Sequence, residues 1–103
     1  ITYVEKVSML VFEIFEKKLS KMYLPFYTQL VLTAVVGRFE LTNEMIHDAW
    51  SMATITETDC AYHKSLLPYD ALKKETQDLD TYYTKKLNEV VSYLSILKNT
   101  IRN

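Results

Sequence analysis

Apolar residues recur at helical spacing through the first fifth of the chain. Tyr3, Val7, Leu10, Ile14 and Phe15 form one stripe, widened by Val4, Val11 and Leu19, while Glu5, Glu13, Glu16 and Lys17 fall elsewhere. This pattern predicts a helix from about Tyr3 to Met22, stopped by Pro25, which disfavours helical geometry at the residue before it. Pro25 itself suits the first turn of a second helix, running through Phe26, Leu30, Val31, Ala34 and Val35 to Gly37, a natural left-handed cap. The β-branched content of this stretch makes a strand the competing reading, but its length and the flanking Pro and Gly favour helix.

Thr42 is a good N-cap for a third helix, and Leu41 and Ile46 are placed to form a hydrophobic staple around it. Ile46, Ala49, Trp50 and Ala53 mark its buried face, to an end near Ile55. Thr54 to Asp59 is polar and threonine-rich, a loop composition, and the irregular stretch continues to about Leu72. After a short helical turn at Lys73 to Gln77 comes the strongest stripe, Tyr83, Leu87, Val90, Val91, Leu94, Leu97 and Ile101. Asp78 and Asp80 stand at its positive N-terminal end, Lys98 and Arg102 at its negative C-terminal end. The expected architecture is all-α: a small single domain over 1–103, a bundle of four main helices with an extended strap (about 61–72) between helices 3 and 4.

Composition supports this and removes several classes of function. One glycine in 103 residues argues against hairpin-rich sheet, and 49% hydrophobic content supports one modest core. A net charge of -1 gives no reason to expect nucleic acid as partner, and the one basic cluster, Lys17, Lys18 and Lys21, sits beside Glu13 and Glu16 as a solvated face. Cys60 is the only cysteine, so no intramolecular disulfide forms and a reducing cytoplasm fits best. The longest uncharged stretch, Met22 to Gly37, is shorter than the roughly 20 apolar residues of a membrane span. No membrane partner is expected.

Candidate chemistry is sparse. His47, Cys60 and His63 are possible metal ligands, but their spacing lacks the close pairs of a structural zinc site, so no metal is expected. Cys60 with His63 is the one visible pairing of nucleophile and base, and no catalytic residue is assigned. Asp78 and Asp80 have a sufficient explanation as acids at a helix start. The aromatics remain: eight tyrosines and Trp50, with Tyr62, Tyr69, Tyr82 and Tyr83 gathered around the irregular segment. A tyrosine suits both a core edge and a pocket for a planar ligand.

Two short motifs carry a resemblance to a known family. Ile46-His47-Asp48-Ala49-Trp50 places a histidine three residues before a tryptophan on a helix. Further on, His63, Leu66, Pro68, Tyr69 and Leu72 fall into a His-x-x-Leu-x-Pro-Tyr-x-x-Leu pattern, followed by the acids Glu75, Asp78 and Asp80. Over about residues 45–94 the chain resembles the ryanodine-receptor-type (RyR) domain, a small helical module found in calcium-release channels and in bacterial and phage-encoded proteins. It departs from that pattern in lacking the Trp-x-Tyr-Gly turn between the motifs and in carrying Lys64 where a proline is usual. The resemblance implies Trp50, His63 and Tyr69 as ligand-binding residues and a planar, nucleotide-like compound as the ligand type.

The expected function is accordingly a non-catalytic protein-interaction or assembly module, of a phage or bacterial mobile element, engaging a protein partner or forming a homo-oligomer. The alternative is a sensor domain for a small planar ligand, nucleotides included. No enzyme activity and no cofactor are implied.

Overall fold

A capping box starts the first helix. In α1 (Tyr3–Ile14) the Glu5 backbone N–H donates to the Thr2 hydroxyl at 3.1 Å, and the Glu5 carboxylate accepts from the Thr2 N–H at 3.1 Å. The computed structural model describes residues 1–58 and 63–102. Expectations about Cys60 and Tyr62 lie outside the described residues.

The first helix ends at Ile14, well short of the predicted Met22. The Lys17 N–H reaches back to the Phe12 carbonyl at 2.9 Å and the Glu16 N–H to that of Glu13 at 2.8 Å, a Schellman motif built without glycine. Glu16 and Lys17 both take left-handed backbone, at φ 57° and 61°. That geometry costs roughly 1–2 kcal/mol per non-glycine residue. Tertiary burial outweighs it: Phe15 and Leu19 are buried, and the Phe15 ring lies 5.5 Å from that of Tyr83 and 6.0 Å from that of Tyr82.

The second stretch is helix, not strand. α2 (Leu24–Gly37) carries Pro25 in its first turn, as expected. Gly37, however, is not the left-handed cap. That conformation falls to Arg38, at φ 57° and ψ 49°. A Cβ on Gly37 would collide with the Phe39 ring, so the glycine provides room for that ring rather than a dihedral.

α3 (Asn43–Thr58) begins as predicted, with the Met45 N–H donating to the Thr42 hydroxyl at 3.3 Å and with Leu41 and Ile46 both buried. It runs past the predicted end at Ile55: Thr54, the first residue of the supposed loop, is buried beside Ala53 on the helix, and the ladder continues to Thr58. The strap is not extended throughout: beyond Pro68 (φ -55°, ψ 145°) a single 3-10 turn, Tyr69–Ala71, leads into the last helix. α4 (Lys74–Arg102) absorbs the short turn predicted at Lys73 to Gln77 and, at 29 residues, runs most of the 48 Å length of the molecule.

α2 and α4 pack together at the centre, and α1 and α3 each lean on both of them. Val11, Val31, Ile46 and Leu87, one from each helix, are fully buried at the middle of the core. Ion pairs add little. Lys17–Glu13, Lys18–Glu16 and Lys74–Asp78 are all exposed and local in sequence. No helix among the described residues is long and apolar enough to cross a membrane.

The left-handed turn makes a direct prediction. In urea unfolding, Lys17→Val should lose about 1–2 kcal/mol, because a β-branched side chain is poorly tolerated at positive φ. Lys17→Gly should match or exceed the parent. Equal stability of the two variants would show that the turn carries no strain.

Candidate ligand pocket

Beneath the strap, α2, α3 and α4 border a cavity of about 310 Å³. Tyr23 and Tyr27 reach it from the start of α2, His47 and Trp50 from α3, His63 and Ser65 from the strap, and Thr76, Leu79, Asp80 and Tyr83 from α4. Three of the eight tyrosines and the only tryptophan therefore line one space. A hollow of about 400 Å³ near Arg38 and Ser92 is also present, but its lining contains no aromatic ring besides Phe39.

The strap forms one side of the cavity, and polar bonds hold it in place. His47, on α3, is 3% exposed, and its Nε2 lies 2.6 Å from the Leu67 carbonyl oxygen. A carbonyl only accepts, so Nε2 carries the proton. Asn43 reaches the Tyr69 hydroxyl at 3.3 Å, and the Gln77 amide donates to the Tyr69 carbonyl at 2.9 Å. At the near end the Ser65 N–H donates to His63 Nδ1 at 3.0 Å. On the other side of α3, Asn88 fixes the approach to the helix by bonding both the N–H and the carbonyl of Leu41, at 2.8 and 3.0 Å.

The rings fall into two groups. The His47 ring stacks on Trp50 with centroids 5.6 Å apart, and His63 meets the same indole edge-on at 5.1 Å. Tyr23 stacks on Tyr27 at 5.9 Å, and Tyr83 tilts against Tyr27 at 6.2 Å. Burial pushes the Tyr27 hydroxyl well above the usual phenol range, with Tyr83, Asp80 and Tyr23 adding to the effect, so it stays neutral.

Asp80 supplies the one carboxylate. Burial raises its carboxyl above the ordinary value, and nearby His47 partly opposes the shift. Its side chain has no hydrogen bond among the described residues, although Thr84 bonds its backbone carbonyl at 2.9 Å. No group of three or more potential metal ligands occurs among the described residues.

Residues 2–92 match a family described as a domain of unknown function (DUF7701). The chain belongs to this family. No curated protein and no solved structure matches it.

Of the three ligand-binding candidates in this DUF7701 domain, Trp50 and His63 line the cavity together. Trp50 is only half-buried, as a pocket wall requires and a pure core residue does not. Tyr69 stands behind the wall, its ring 6.1 Å from that of His47, and supports the strap rather than the space. Sequence reasoning considered His47 as a metal ligand and a motif residue, not as a cavity wall, and passed over Asp80 as a helix-start acid. Asp80 lies in the second turn of α4, within the cavity lining; Asp78 instead pairs with Lys74 at 3.1 Å on the outside. The usable signal was its spacing: Thr76, Asp80 and Tyr83 share a face at helical intervals with the buried Leu87.

The folded state binds the Asp80 proton more tightly than the unfolded chain does, so this group's contribution to stability falls as pH rises through the window between the two pKa values. Urea unfolding from mildly acidic to neutral pH should reveal this loss in the parent. Asp80→Asn should lack it and be at least as stable at neutral pH. A variant less stable than the parent at neutral pH would mean that the carboxylate has a stabilising partner.

Proposed function

We propose that this domain binds a small planar ligand without transforming it, in the cavity under the strap. The reading rests on one observation: Trp50, His63, Tyr23, Tyr27 and Tyr83 surround a single space that also holds a carboxylate without a hydrogen-bond partner among the described residues. Mostly apolar walls with a few polar groups are the usual make-up of a small-molecule site. The RyR-type resemblance lends support, since it selected Trp50 and His63 from motifs that are separate in sequence. Binding is favoured over turnover because His63 Nδ1 already accepts the Ser65 backbone N–H, which leaves that nitrogen no lone pair with which to activate the Ser65 hydroxyl.

Native mass spectrometry of the protein purified from its own type of host should retain a small molecule, and release of that molecule should alter Trp50 emission. Trp50→Phe should weaken retention several-fold while moving the melting temperature little, because the indole is half-buried. Retention of nothing, with emission insensitive to planar compounds, would dismiss the reading.

A second reading, a module for protein interaction or self-assembly, is favoured by a different surface. Tyr3, Leu32, Val35, Val36, Leu94 and Leu97 line an apolar groove of about 400 Å³ where α1 begins and α2 and α4 approach their ends. Tyr3 and Val36 are 71% and 74% exposed there. Light scattering over a concentration series should then reveal association that Val36→Glu abolishes. A parent that stays monomeric throughout would remove self-assembly.

A further inference from the structure

The Asp80 carboxylate is the group in the cavity whose chemistry is least satisfied. An ionised carboxylate accepts hydrogen bonds at two oxygens and donates none. Two donors of the neighbouring helices are engaged elsewhere. The His47 Nε2 proton goes to the Leu67 carbonyl, and the Thr84 hydroxyl lies against the Asp80 backbone carbonyl and Asn43. No lysine or arginine lines the cavity. A half-buried carboxylate in such surroundings is open to a ligand that brings its own donors in place of water.

The shape of the surroundings narrows the class. The cavity walls are rings, which favour flat partners, and a carboxylate is itself flat, binding best to two parallel N–H groups on one plane. We propose that the ligand turns toward Asp80 a planar N–C–N edge with two parallel N–H donors, while its body lies among the rings of Trp50, Tyr23, Tyr27 and Tyr83. This inference rests on the ligand-binding reading and adds the chemistry of the bound edge.

Two kinds of compound carry that edge. Guanine presents N1–H beside its exocyclic N2–H, and a guanidinium presents two N–H groups with a positive charge that also suits aromatic faces. Adenine and cytosine set an acceptor nitrogen beside their amino group, and uracil sets carbonyls on both sides of its N–H. Each would turn a lone pair toward a carboxylate oxygen. The raised affinity of Asp80 for its proton points the same way: an ionised carboxylate is poorly solvated here until donors arrive.

Trp50, the only tryptophan, reports on the cavity directly. Its emission is followed in the full chain during titration with guanosine, agmatine and adenosine, each repeated with Asp80→Asn, and with xanthosine added for the variant. Guanosine or agmatine should bind at least tenfold more tightly than adenosine, and which of them binds identifies the source of the edge. Asp80→Asn should lose at least tenfold toward that compound without a fall in melting temperature. If guanosine is the binder, the variant should gain xanthosine, whose N–H beside a carbonyl matches the acceptor and donor of an amide. Adenosine binding equally well, or Asp80→Asn keeping full affinity, overturns the donor edge while leaving the pocket in place. So does a molecule retained in native mass spectrometry that has no such edge. Silence toward every compound, together with nothing retained, overturns the pocket and this inference alike.

Discussion

Everything in this domain depends on the burial of four aliphatic side chains, one from each helix. Val11, Val31, Ile46 and Leu87 are fully withdrawn from water, with Ala34 as the small residue that lets the central helices approach. No buried ion pair occurs among the described residues, and the three surface pairs are local. Association of the helices therefore comes from apolar burial, which is roughly proportional to area and indifferent to direction. What supplies direction is a small set of polar bonds that act on chain segments between helices.

Those bonds are concentrated where the chain is least regular. Asn88 holds the backbone of Leu41 through both its N–H and its carbonyl, much as a neighbouring strand would, and so sets how α3 enters the core. His47, Asn43 and Gln77 do the same for the strap, each from a helix position whose side chain reaches the strap backbone or the Tyr69 hydroxyl. A segment without its own hydrogen-bond ladder needs such partners for its backbone. The strap is thus held at several points, and its His63 and Ser65 close one side of the space between α2, α3 and α4.

The cavity carries a cost consistent with a binding role. A carboxylate with no hydrogen-bond donor among the described residues and a buried phenol kept neutral both line a space between three helices, where apolar groups would pack with less penalty. Stability given up in a pocket is a familiar signature of a site shaped for something else to complete it. At the opposite end of the bundle the exposed Tyr3 and Val36 give the molecule a second feature that packing alone does not explain.

The sequence by itself determined the class, the number of helices, the Pro25 start of α2 and the Thr42 start of α3, because helical stripes and caps are local properties read from a few residues at a time. The two pocket residues Trp50 and His63 were also legible, though only through motifs and not through any sign that they meet. The tertiary structure alone decided the early end of α1, since the burial of Phe15 and Leu19 overrides a sequence that favours continuing the helix. It likewise decided that Gly37 makes room for Phe39 while Arg38 takes the left-handed turn, and that Asp80 faces a cavity while Asp78, two residues away, faces solvent. In each case the deciding contact comes from an aromatic ring or from another helix, and the angular position of one residue on a helix acquires a chemical meaning only when its neighbours from other helices are in place.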